Sequence, residues 1–205
     1  HLVRDQGVGG SNPLAPTNFL SEDRAAIAGG SMLVSDLKKI IREVPDYPKP
    51  GVTFYDLTTL FKNGAAFRTV IERLAERFRK DKIDVVVGIE ARGFMLAAAL
   101  AYEYGLGIVP VRKPGKLPWR ITGEDYTLEY GQGRLEVHED AVEREQRVLI
   151  VDDVLATGGT AAATGRLVQR LGAVVCGYAF LLELSFLGGR DRLSSENVFS
   201  LITYP

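Results

Sequence analysis

From Met32 onward the apolar positions follow two rhythms. The first is helical. Ala65 to Arg79 places Phe67, Val70, Ile71, Leu74 and Phe78 three or four residues apart, the spacing of one buried helix face. Ser35 is placed to cap a shorter helix carrying Leu37, Ile40 and Ile41, which Pro45 stops. Gly93 to Tyr104 reads as a helix apolar on most sides and ended by Gly105, and another helix runs to Leu171 with Gly172 behind it. The second rhythm is the short apolar run: Asp84–Ile89, Ile108–Val111, Leu135–His138, Val148–Val151, Val174–Leu184 and Val198–Thr203 all read as strands. Helices alternate with strands, which predicts an α/β fold with a mostly parallel core sheet flanked by helices on both faces. In such sheets ligands sit beyond the carboxyl ends of the strands. Two stretches lack either rhythm. Pro45–Gly51 reads as a rigid loop, and Lys113–Gly133 as a long, polar, mobile one.

Residues 1–31 have another texture, rich in Gly, Ser, Asn and Pro and without a sustained period. They are expected to be disordered or a non-native N-terminal extension, with the folded domain spanning 32–205. Gly10-Ser11-Asn12-Pro13 can be encoded by a stretch containing GGTTCGAATCC, which resembles the T-arm of a transfer-RNA gene. On that reading the biological start lies near Met32.

Composition narrows the function classes. The chain has 205 residues, 46% hydrophobic and 25% charged, enough for one substantial α/β core. A formal net charge of −1 provides no global field for nucleic acid, so any polyanion must be bound by local groups. The single cysteine, Cys176, excludes an intramolecular disulfide and fits a reducing, cytoplasmic setting; its apolar surroundings point to core rather than nucleophile. No apolar run is long enough to span a bilayer. His138, among Glu136, Glu139 and Asp140, is expected on the solvated surface.

The most informative segment is Val148–Thr160, VLIVDDVLATGGT. A strand ends in the carboxylates Asp152 and Asp153, and the small-residue loop Ala156-Thr157-Gly158-Gly159-Thr160 then opens a helix. Such a loop wraps backbone N–H groups and hydroxyls around a phosphate, and the helix terminus adds its positive end. Two carboxylates beside it suit a sugar diol or a metal ion. Phosphoribosyl pyrophosphate (PRPP) offers both faces at the right distance. The segment is neither a Walker A loop, lacking Gly-Lys-Ser/Thr, nor a dinucleotide fingerprint, lacking GxGxxG after a strand.

Four further segments lie near strand ends or in neighbouring loops. Glu90-Ala91-Arg92-Gly93-Phe94 is a strand-to-helix turn whose glycine allows close backbone approach. Arg112, Lys113 and Lys116 cluster around a Pro-Gly turn and could neutralise a pyrophosphate, although such runs are often only solvated loops. Tyr126-Thr127-Leu128-Glu129-Tyr130-Gly131 puts a carboxylate on the polar loop, where it could exchange a proton with a substrate. Thr53-Phe54-Tyr55 sets an aromatic after a constrained turn, either as a core residue or as a platform for a planar base.

Together these segments resemble the adenine phosphoribosyltransferases of the type I phosphoribosyltransferase family, over PGVTFYD, GIEARGF, RKPGKLP, YTLEYG and VDDVLATGGT, from about Pro45 to Tyr204. The resemblance implies the type I phosphoribosyltransferase fold, with a flexible lid loop and a small hood over the base. It implies transfer of the phosphoribosyl group of PRPP to adenine, with Mg²⁺ carried mainly by the substrate rather than by a dedicated protein ligand set. It implies that Asp152 and Asp153 face the ribose hydroxyls and that Ala156 through Thr160 hold the 5′-phosphate. Arg92, Arg112, Lys113 and Lys116 would serve PRPP, and the Glu90–Ala91 bond would be a non-proline cis peptide beside the pyrophosphate. Phe54 would stack on adenine with Thr53, Tyr55 and Arg92 near its edge, Glu129 would handle a proton, and Tyr126 and Tyr130 would belong to the lid. A homodimer without nucleic-acid or membrane partners is implied as well. The chain departs from the family pattern at Tyr55, where a basic residue is common, at Ala91, where Ser is frequent, and at Asp125, where Ser is usual. Two other readings remain open: a PRPP-dependent transferase for another purine base, of xanthine or guanine type, and a PRPP-sensing regulator. The regulator needs a DNA-binding module that the short N-terminal stretch does not resemble.

Overall fold

Strand alternation accounts for the layering. The computed structural model describes residues 32–127, 132–193, 195 and 197–205. The expectation for residues 1–31 therefore falls outside the described residues. Five parallel strands form the central sheet: β3 (Val85–Ile89), β4 (Gly107–Val111), β7 (Arg147–Leu155), β8 (Val174–Leu184) and β9 (Val198–Tyr204), in the spatial order β4-β3-β7-β8-β9. Successive side chains point to opposite faces. Val86, Leu149, Val151, Ala179 and Leu181 fill one core with Leu74 and Phe78 of α3 (Gly64–Phe78) and Leu96 and Leu100 of α4 (Gly93–Tyr104). Val85, Val87, Ile89, Val148, Ile150, Tyr178 and Phe180 fill the other with Leu167 and Val168 of α5 (Gly159–Arg170).

Local signals explain the helix ends. Asn63 caps α3 by accepting a hydrogen bond from Ala66 N at 3.1 Å. Gly105 ends α4 in the left-handed region at φ 68°. Ser35 does not act as the expected cap. It lies inside α1 (Val34–Ile40), whose N-cap position is Leu33, and the helix ends at Ile41 rather than at Pro45. Ile41 leaves the helix yet remains buried in the first core. Two short strands, β1 (Arg42–Val44) and β2 (Phe54–Asp56), pair antiparallel ahead of the short helix α2 (Thr58–Phe61).

The largest correction concerns Lys113–Gly133. Its second half is ordered as β5 (Ile121–Thr127), paired antiparallel with β6 (Gln132–His138), Ile121 opposite His138 and Thr127 opposite Gln132. Leu135 and Val137 of β6 are buried in the second core and anchor the hairpin. Glu124 fixes it to α5 through Arg166, at 2.6 Å, and Arg170. His138 is another correction: it is half-buried, its ring set edge-on to Trp119 at 6.3 Å, and its Nε2 is hidden. Cys176 is partly buried and packs against the first core, and burial pushes its thiol up to about 11.

Candidate functional site

The carboxyl ends of β3, β7 and β8 open into a cleft of about 890 Å³. Ten of the residues singled out from sequence line it: Thr53, Phe54, Tyr55, Arg92, Lys113, Tyr126, Asp152, Asp153, Ala156 and Thr160. The geometry explains how they converge.

Asp152 and Asp153 are the sixth and seventh residues of β7, not the residues that follow it, because the strand continues to Leu155. The loop is correspondingly tight. Ala156, Thr157 and Gly158 make the bend, and α5 begins at Gly159, so Gly159 and Thr160 form its first turn. Gly158 sits at φ 76°, a conformation that favours glycine. The Asp152 carboxylate turns back to accept a hydrogen bond from Asp153 N at 2.8 Å. Room for it depends on Gly93, where a Cβ would stand 2.8 Å from Asp152 Oδ1 and 2.9 Å from Val151 O.

Both carboxyls titrate above the usual range. Burial is the main cause for each, and the neighbouring Asp153 charge raises Asp152 further while Arg92 pulls both down. Asp152 keeps some accessible surface toward the cleft, but its carboxyl group lies deep, and the depth governs its titration. Arg92 Nε lies 2.5 Å from Asp153 Oδ2 without hydrogen-bond alignment, so this buried oxygen has close charge contact but no donor. Asp153 Oδ2 is therefore held in the interior by the Arg92 charge rather than by a hydrogen bond.

On the opposite wall, Phe54 projects from β2 and meets the Tyr47 ring edge-on at 5.4 Å. The Arg92 guanidinium lies 5.6 Å from the Phe54 centroid, within cation–π range. Arg92 thereby links the aromatic wall to the carboxylate pair. Tyr55 stacks on Tyr204 at 4.2 Å, which accounts for an aromatic where a basic residue is common. Leu182, Leu184, Phe186 and Leu187 complete an apolar wall; the first two were read only as part of a strand, and the other two carried no sequence signal.

The cationic turn divides between the cleft and Glu90. Lys113 faces the cleft, whereas Arg112 and Lys116 turn to Glu90, as does the Lys113 backbone. Arg112 Nε lies 3.3 Å from Glu90 Oε2, Lys113 N donates to the same oxygen at 2.9 Å, and Lys116 Nζ donates to Oε1. Burial alone would raise the Glu90 carboxyl, yet the Lys116 and Lys113 hydrogen bonds and the Lys116 and Arg112 charges together hold it below the ordinary carboxylate range. A second carboxylate, Glu136, accepts from Gly115 N at 2.9 Å and ties the turn to the hairpin. The pairings of Glu90 and Glu136 escaped the sequence reading because their partners lie far along the chain. The Glu90–Ala91 bond is cis.

Tyr126 reaches the cleft from β5, and its ring covers Gly133 on the paired strand, where a Cβ would stand 2.7 Å from the ring. Asp125 is taken up by Arg134 at 3.0 Å. Glu129 and Tyr130 lie outside the described residues. Among the described residues no group of three or more His, Cys, Asp or Glu could hold a metal ion, and no helix is long and apolar enough to cross a membrane.

Comparison with known proteins is consistent across sequence and structure. The phosphoribosyl transferase domain family matches residues 56–197. An adenine phosphoribosyltransferase from Solibacter usitatus is 57% identical over 169 residues, covering 82% of this chain and 98% of its own length. The crystal structure of adenine phosphoribosyltransferase from Thermoanaerobacter pseudethanolicus is similar with a TM-score of 0.81 at 49% identity, over 84% of this chain and all of the other. The Saccharomyces cerevisiae enzyme, complexed with an imino-altritol bisphosphate and adenine, is similar with a TM-score of 0.77 at 41% identity, over 82% and 97% of the two chains.

Proposed function

Because the chain belongs to the adenine phosphoribosyltransferases of the phosphoribosyltransferase family, we propose that the cleft between Phe54 and the Asp152–Asp153 pair is where adenine meets PRPP. The enzyme transfers the phosphoribosyl group of PRPP to adenine and releases AMP and pyrophosphate, a purine-salvage step. The observation that carries the site assignment is the placing of the Asp152–Asp153 pair on the cleft wall, just ahead of the tight bend that opens α5. Both residues line the cleft, and a ribose diol supplies hydroxyl donors to carboxylates so placed.

The other groups follow from that anchor. Ala156 through Thr160 receive the 5′-phosphate on backbone N–H groups, the two Thr hydroxyls and the start of α5. Adenine stacks on Phe54 against the wall of Leu182, Leu184 and Phe186, with Thr53, Tyr55 and Arg92 at its edge. Lys113 reaches the pyrophosphate directly, and Arg112 and Lys116 reach it by leaving Glu90. Chemically, a base nitrogen bonds to the ribosyl carbon, the bond from that carbon to pyrophosphate breaks, and adenine gives up a ring proton. Glu129 handles that proton, while Tyr126 and Tyr130 close over the site and exclude water that would hydrolyse PRPP. The transition state carries positive charge on the ribosyl group and negative charge on the departing pyrophosphate, so the cations act where charge develops.

Mg²⁺ belongs to this reading as a companion of PRPP. The Asp152–Asp153 pair suits the ion's waters and the ribose hydroxyls, and the ion would neutralise the leaving pyrophosphate. The catalytic unit is residues 32–205, working in the cytoplasm as a homodimer, without nucleic-acid or membrane partners. Turnover measured with PRPP and Mg²⁺ over a panel of adenine, hypoxanthine, guanine and xanthine tests the assignment. Adenine should exceed every other base by orders of magnitude in kcat/KM, and comparable turnover of a 6-oxopurine would overturn the base assignment.

A further inference from the structure

Behind β8 the chain makes two 3-10 turns, Ser185–Leu187 and Gly189–Arg192. Phe186 and Leu187 of the first turn belong to the cleft wall. The second turn has no part in the roles above, yet it touches the phosphate loop backbone to backbone. A methyl group at Gly189 would overlap Ala156 O and stand 2.8 Å from Gly158 N and 3.0 Å from the Ala156 carbonyl carbon. A methyl group at Gly158 would in turn overlap Gly189 O and stand 2.9 Å from its carbonyl carbon. Gly158 also needs its left-handed backbone, whereas Gly189 has no positive φ, so space alone requires glycine there.

Something must hold the second turn against the loop. Arg190 grips Glu183 with both arms of its guanidinium, Nε to Oε1 at 3.1 Å and Nη2 to Oε2 at 2.5 Å, and its Nη1 donates to Val198 O at 2.8 Å. Glu183 is 5% exposed and sits near the end of β8, beside the strand that runs into the phosphate loop. A planar fork on a buried carboxylate is geometrically exacting, which suits a clamp. Val198 opens β9, so the clamp ties the turn to two strands of the core sheet.

We propose that Glu183 and Arg190 are positioning residues that press Gly189 against Ala156 and Gly158 and so set the shape, and the phosphate affinity, of the loop. The proposal rests on the reading that Ala156–Thr160 holds the 5′-phosphate. It adds a specificity device: the segment that walls the base also fixes the phosphate loop.

The test is calorimetric titration of the full chain with two probes, ribose 5-phosphate and inorganic pyrophosphate. Gly189→Ala and Arg190→Met should each weaken ribose 5-phosphate binding roughly ten- to hundredfold, the range expected for ångström-scale misplacement of a binding group. Pyrophosphate affinity should stay within about twofold of the parent protein, because the Arg112–Lys116 turn is held by Glu90 and Glu136 instead. Arg190→Lys keeps the charge but loses the fork and should fall between, which keeps the test usable if Gly189→Ala does not fold. Unchanged ribose 5-phosphate affinity in folded Arg190→Met, or equal losses for both probes, would overturn the clamp. A Thr160→Ala control separates the premise: unchanged ribose 5-phosphate binding there would sink the phosphate-loop reading, and the clamp with it.

Discussion

Glu90→Gln removes one charge from the cationic turn and almost no volume. The Glu90 side chain is only 6% exposed, but its partners Arg112 and Lys116 have side chains 33% and 46% exposed. Once released, both cations rehydrate. Each pair therefore counts as a surface pair, about 0.2–1 kcal/mol. The Lys113 N–H bond survives in neutral form and weakens by about 1 kcal/mol. Gln is cheaper to bury than a carboxylate, which offsets part of the loss, so the net deficit at pH 7 is about 1–2 kcal/mol. For a domain of this size that lowers Tm by roughly 2–8 °C. The sign of the pH dependence follows from the lowered folded-state pKa. The stabilisation is fully present above the unfolded carboxyl value of about 4.3 and is lost as pH falls through the folded value. Urea unfolding of parent and variant should show a constant gap from pH 8 to about pH 5 that shrinks below it. Equal stability at pH 7, or a gap that grows on acidification, would refute the ion-pair account.

Gly93→Ala should cut PRPP affinity and turnover sharply, because its methyl would displace Asp152 Oδ1 or the strand end at Val151; near-parent steady-state kinetics would show that the Asp152 position is not critical. The double change Asp152→Asn and Asp153→Asn should keep the fold by circular dichroism and abolish measurable PRPP binding by titration. Glu129→Gln should leave the PRPP dissociation constant unchanged and lower kcat about 100- to 10,000-fold, the usual contribution of a placed proton acceptor; an effect on KM alone would make it a positioning residue. Phe54→Ala should raise the adenine KM more than the PRPP KM, and the reverse order would move the base elsewhere in the cleft.

The inner strands of the sheet were legible because they are buried on both faces. Val85–Ile89 is a continuous apolar run, and Val174–Leu184 is one interrupted only by Glu183, as expected of strands inside a core. The β5 strand was not legible, since Ile121-Thr122-Gly123-Glu124-Asp125-Tyr126-Thr127 is mostly polar and is ordered by its partner β6 and by Arg166 and Arg170 from α5. The same contrast holds within the site. Asp152, Asp153 and the phosphate loop are contiguous in sequence and could be read as one motif. Glu90, Glu136 and Gly189 act through partners brought close only by the fold, and a lone carboxylate or glycine carries no local sign of that. Arg112 and Lys116 were visible as cations, but their pairing with Glu90 was not.

A crystal structure of the complex with AMP tests the central claim most directly. The account predicts the 5′-phosphate within hydrogen-bond distance of the N–H groups of Thr157 through Thr160, the ribose hydroxyls on Asp152 and Asp153, and adenine stacked on Phe54. AMP bound with its phosphate at the Arg112–Lys116 turn, or with its base away from Phe54, would contradict it.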